Sequence, residues 1–186
     1  MTMGEFMRWL ATAATLFVSL PAIAGQNDPR LAALFERLAV TDDAREGALL
    51  QSVIWSLWMR SGDPKIDALM ARGIAAMEGR DLAAAEAAFT EIVEKRPDFA
   101  EGWNKRATVR YLARNFLGSI ADIEQTLKLE PRHFGALSGL GLVYLAMGRD
   151  EAALEAFKRA HALAPHLPGG DEQIRELEGR IKGRRI

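Results

Sequence analysis

Residues 99–116, FAEGWNKRATVRYLARNF, crowd Asn104, Lys105, Arg106, Arg110 and Arg114 beside Trp103 and Tyr111. Cationic side chains at this density grip phosphates or carboxylates when they stand free, and become structural ion pairs when acidic groups answer them. Across the whole chain 24 Lys and Arg balance 25 Asp and Glu, for a net charge of −1. That balance lacks the positive field a nucleic-acid backbone requires, so no nucleic-acid partner is expected. Other chemistry is sparse. Without cysteine there is no thiol nucleophile, and neither a disulfide framework nor a lipid-modified leader is expected. His133 and His166 occupy equivalent junctions one repeat period apart, about 10 Å by helix stacking. Ligands of a shared zinc lie about 2 Å from the ion, so no metal site is expected. GALSGLG at 135–141 contains a G-x-G, but no strand leads into it, and Gly141 reads as a packing residue. The serines have no positioned histidine and acid. The expectation is a protein without catalytic residues, cofactors or enzymatic activity.

The elements that would position these residues repeat. Sliding the chain against itself by 34 residues aligns 66–99, 100–133 and 134–167. Pro97, Pro131 and Pro165 share position 32; Leu69, Trp103 and Leu137 share position 4. Gly73, Ala107 and Gly141 hold position 8, Ala85, Ser119 and Ala153 position 20, and Phe89, Ile123 and Phe157 position 24. This pattern resembles the tetratricopeptide repeat, a pair of antiparallel helices in which small residues allow close approach and large ones fill the space between. The residues support a helical pair independently. In the third copy Leu137, Leu140, Gly141 and Tyr144 recur at helical spacing, Gly148 and Arg149 interrupt, and DEAALEAFKRAHAL restarts with acids first and cations late. One pair cannot bury its own apolar face, so pairs must stack and the ends need caps.

The expected organisation is all-α. A signal peptide over 1–24 precedes an N-terminal helical hairpin over 25–65, with helices at 31–39 and 44–60 and Asp43 with Glu46 as a capping box. An α-solenoid of three repeats follows over 66–167, then a C-terminal capping helix and basic tail over 168–186, the tail frayed and solvated. The leader is read from Arg8, an apolar run from Trp9 to Leu20, and small residues at Ala22 and Ala24. Cleavage after Ala24 implies an exported, periplasmic protein. The run is shorter than the ~20 residues a bilayer span needs, so membrane contact is expected only if the leader stays uncleaved.

Trp103 is expected in the core, as are Phe89 and Phe157. Arg72, Arg106 and Arg110 stand where apolar side chains are usual. Three roles remain open for them: stems lying on apolar surface, pairing with carboxylates such as Glu91 or Asp122, or an anionic ligand. The resemblance implies that the first helix of each pair lines a concave groove. Carried onto this chain, the partner-binding residues are Met70, Ile74 and Met77; Asn104, Lys105, Thr108 and Tyr111; and Ser138 and Leu142. The lysine, asparagine and arginine set that clamps a carboxylate in one subgroup is missing, because Met70, Ile74, Gly135 and Gly139 occupy four of its five positions. Two states of the groove remain open: it takes a protein or peptide partner, or a terminal helix of the same chain fills it, Gly135, Ser138 and Gly139 being small enough to admit one. The resulting expectation is a non-catalytic interaction module of the cell envelope. The alternative is a structural, self-associating subunit with exposed aromatics such as Trp55 at its interface.

Overall fold

The computed structural model describes residues 24–184, so the leader apart from Ala24 lies outside the described residues. A 3₁₀ turn at Gly25–Asn27 precedes helices α1 Arg30–Val40, α2 Ala44–Trp58, α3 Pro64–Glu78, α4 Leu82–Lys95, α5 Ala100–Leu112, α6 Phe116–Leu129, α7 Phe134–Ala146, α8 Asp150–Leu163 and α9 Gly170–Gly183. No strand occurs among the described residues, and no helix there is long and apolar enough to cross a membrane. The expected all-α solenoid is the observed fold: α3/α4, α5/α6 and α7/α8 are three antiparallel pairs stacked in order.

Short polar side chains start these helices. Asp43, Asp63, Asp81 and Asn115 accept from backbone N–H groups that have no partner within the first turn. Glu46 does not complete a capping box with Asp43. It pairs instead with Arg37 of α1 at 2.6 Å, because the hairpin brings a guanidinium closer than the backbone N–H it was expected to reach. The turn inside each pair passes through a left-handed residue at one register position: Arg80 (φ 62°), Arg114 (φ 62°) and Gly148 (φ 70°). Only the third copy carries the residue that adopts this conformation without a Cβ clash.

Within each pair, positions 8 and 24 divide one volume. A Cβ on Gly73 would lie 2.5 Å from Phe89 Cε1, and one on Gly141 2.6 Å from Phe157 Cε1. In the middle pair Ala107 faces the smaller Ile123 in a shared cluster. Phe89 and Phe157 are buried, as expected.

The hairpin precedes the first pair in sequence, but its apolar face meets the third. Leu31, Phe35, Leu38, Ile54, Leu57 and Trp58 form one core with Phe134 and Ala164. From there the N-terminal segment reaches the turn that follows each of the three pairs. At the first, Gln26 Nε2 donates to Asp98 O (2.5 Å), Gln26 Oε1 accepts from Ala100 N (3.3 Å), and Arg96 Nη1 donates to Ser61 O (3.4 Å). At the second, the Arg132 guanidinium lies 4.5 Å from the Phe35 ring centre. At the third, His166 Nε2 donates to Thr41 O (2.9 Å). Helix α9 packs Ile174 and Leu177 on Ala153 and Phe157. Its basic end is held rather than frayed, since Arg180 and Arg184 reach Asp150 at 3.2 and 2.7 Å.

Candidate partner-binding groove

The expected groove residues lie on α3, α5 and α7, and the structure divides them into covered and open sets. Met70 is 2% exposed and belongs to the core with Ile66, Phe89 and Val109, while Ile74 and Met77 pack half-buried against that core. These three therefore contribute mainly to the first pair's interior. On α5, Asn104 is only 6% exposed, and Lys105 is half-buried. Thr108 and Leu142 are exposed, and Tyr111 and Ser138 half-buried.

The covered set is organised around Glu101. This carboxylate is fully buried; its Oε2 accepts from His133 Nε2 at 2.9 Å and from Asn104 Nδ2 at 3.2 Å. Its Oε1 meets the Lys105 ammonium at 3.1 Å as a charge contact without hydrogen-bond alignment. His133 Nδ1 accepts from Ala136 N at 3.0 Å, capping α7, so the ring proton lies on Nε2 and is donated to Glu101. Burial pushes the Glu101 carboxyl up, but the His133 hydrogen bond and the Lys105 charge outweigh it and hold the group below the usual carboxylate range. Trp58 of α2 seals the site, its ring stacked on His133 at 4.0 Å and 13°. Trp55 lies beside it with the Lys105 ammonium 5.2 Å from its ring centre, and a Cβ on Gly135 would stand 2.4 Å from Trp55 Cζ2. Trp55 is thus half-buried against its own chain, not a free aromatic at a surface. The terminal element that enters the groove is α2; α9, the C-terminal helix, packs on α8 instead.

The anomalous arginines resolve as ion pairs. Arg106 grips Asp122 through two bonds (2.8 and 2.7 Å), and Arg110 bridges Asp122 and Glu86, both at 2.8 Å. Arg72 reaches Glu91 at 3.0 Å. Trp103 is half-buried rather than in the core: its Nε1 donates to Pro97 O at 2.9 Å, and the Arg106 guanidinium lies over its ring at 4.9 Å.

Two cavities remain open on either side of α7. One of about 200 Å³ lies toward α5, lined by Ala107, Thr108, Tyr111, Ile123, Gly139 and Leu142. The other, about 310 Å³, lies toward α8 and α9, bounded by Trp55, Phe134, His161, Leu167 and Gln173. Gly135, Ser138 and Leu142 line both, forming a low ridge between them. No group of acidic, histidine or cysteine side chains arranged to hold a metal occurs among the described residues. The sequence pattern placed Asn104 and Lys105 on the groove row, but it missed Glu101 as the group both contact, and His133 and Trp58, which enclose it. Nothing in the local pattern links residues 32 and 43 positions away from Glu101.

The family model described as Tetratricopeptide repeat matches residues 70–121 and 104–168. A TPR repeat-containing protein of Rhizobium etli is 34% identical over 177 residues, spanning 94% of this chain and 87% of that protein. The TPR domain of Sgt2 from Aspergillus fumigatus superposes with a TM-score of 0.62 at 21% identity, covering 66% of this chain and 83% of that one. The first TPR domain of Spaghetti (RPAP3), solved with an HSP90 peptide, gives 0.61 at 18% identity over 63% and 94%. The extent of the family match, with a relative this similar over nearly the whole chain, makes this protein a member of the tetratricopeptide repeat family.

Proposed function

We propose that this protein is a non-catalytic interaction module of the bacterial cell envelope that takes a protein or peptide segment on the open half of its concave face. The observation that carries the reading is the pair of cavities flanking α7, joined across Gly135, Ser138 and Leu142. The contact residues are Thr108, Tyr111, Ser138 and Leu142, with Lys105 at the border of the covered half. The HSP90 peptide held by the Spaghetti domain supports a peptide as the kind of ligand. The export-type leader supports the envelope. A photo-crosslinking side chain at Leu142 should capture a partner in intact cells that one at Glu94 on α4 does not, and Tyr111→Ala should abolish the capture. Equal capture at both positions would refute the groove.

A second reading, a self-associating subunit, draws on the hairpin's outer side, where Val40 and Leu49 are each 68% and Val53 44% exposed. Light scattering that gives a concentration-independent dimer, lost on Leu49→Ser, would favour it.

A further inference from the structure

The donors at the covered half of the groove are already used by this chain's own carboxylates. Lys105, Asn104 and His133 are donors of the kind that hold a peptide's carboxylate, and all three end on buried Glu101. Arg106 and Arg110 are neutralised on Asp122 and Glu86 together. The residues lining the two open cavities include no Lys, Arg, Asp or Glu; His161 is the one side chain there that can carry positive charge, and Asp171 lies 3.5 Å from its Nε2. A ligand carboxylate entering here would lose its hydration and find no free cation in return. An apolar side chain would meet ring and aliphatic carbon. A Cβ placed on Gly139 approaches only Ile123 Cδ1, at 3.8 Å, so the floor of the smaller cavity has room for one.

Resting on the groove reading above, we infer that the partner presents an uncharged, apolar segment, with bulky aliphatic or aromatic side chains entering the cavities on both sides of α7. Glu101 acts as a resident carboxylate, satisfying the donors that an acidic peptide would need and leaving affinity to apolar burial. Such binding is nearly insensitive to salt, whereas capture of an exposed acidic peptide weakens as the Debye length falls from ~10 Å at 0.1 M to ~3 Å at 1 M.

The test is selection of random dodecapeptides with free carboxyl termini on the purified protein and on its Gly139→Leu variant, whose thermal melt should match wild type. The expected result is enrichment of peptides rich in apolar residues and poor in Asp and Glu. Their affinity should change by less than about twofold between low and high salt and fall at least about tenfold on Gly139→Leu. Should that variant misfold, Thr108→Trp fills the same cavity from α5. Acidic peptides that depend on Gly139 would overturn the chemistry while leaving the groove intact. Peptides indifferent to both filling variants would overturn the groove itself, and a selection that enriches nothing would overturn both.

Discussion

The volume shared between positions 8 and 24 makes a quantitative prediction about Gly141 and Phe157. Replacing Gly141 with alanine puts a methyl 2.6 Å from Phe157 Cε1 and Cζ, inside van der Waals contact, so the ring or the helix must move. Overpacking of this kind costs about 1–3 kcal/mol. Alanine also returns about 1 kcal/mol of helix propensity over glycine. Gly141→Ala alone should therefore lie between neutral and about 2 kcal/mol destabilising. The middle pair already holds the compatible combination, Ala107 with Ile123. In a Phe157→Ile background the clash is gone, and Gly141→Ala should become stabilising by about 1 kcal/mol. The coupling between the two sites then equals the overpacking cost, about 1–3 kcal/mol. Urea unfolding of wild type, both single variants and the double variant measures it directly. Effects that add to within about 0.5 kcal/mol would refute this account of the packing.

The buried Glu101 network gives an acid-side signature. Its folded-state carboxyl is held below the ordinary range, so its contribution is present above that range and is lost as pH falls through the folded value. Urea midpoints should fall below about pH 4.5, the reference value for the carboxyl, and Glu101→Gln should flatten that acid limb while costing about 1–3 kcal/mol at neutral pH; an unchanged acid limb would refute it. Arg114 adopts a left-handed conformation in an exposed turn, so Arg114→Gly should raise stability by about 1 kcal/mol in the same assay, and a loss would mean that the side chain matters more than the strain. Trp58→Ala should cost about 3–5 kcal/mol, because it uncovers His133 and empties the hairpin core; a change under about 1 kcal/mol would show that the hairpin is not docked as described. The mature protein should begin near Gly25, and mass analysis finding Trp9 in the mature chain would refute leader cleavage.

The pair architecture was legible because each repeat writes its packing into local columns. Gly73, Ala107 and Gly141 fall one period apart, as do Phe89, Ile123 and Phe157, and neighbours in a solenoid are neighbours in sequence. The same locality let Asp122 and Glu91 be named as partners of the arginines, since the second helix of a pair lies a fixed distance along the chain. Trp103 misled because its column predicts a large side chain without saying how deeply it sinks. Its indole N–H needs a polar partner, found at Pro97 O near the surface, and that keeps the ring half out.

The amino-acid sequence by itself determined the helices, their pairing, the capping aspartates and the row of side chains that faces the concave side. These follow from period, propensity and turn chemistry over a few residues. Only the tertiary structure decided how much of that face is available. The hairpin has no repeat register, so nothing local specifies that Trp58 should stack on His133, that Gly135 should be bare to receive Trp55, or that Gln26 should bond the first turn of α5. These contacts join residues 74 to 80 positions apart, and they form because a hairpin with one apolar face gains more by burying it against Phe134 and Ala164 than by standing alone in water. That long-range choice closes half of the groove, withdraws Asn104 from any partner, and leaves the cavities flanking α7 as its open part.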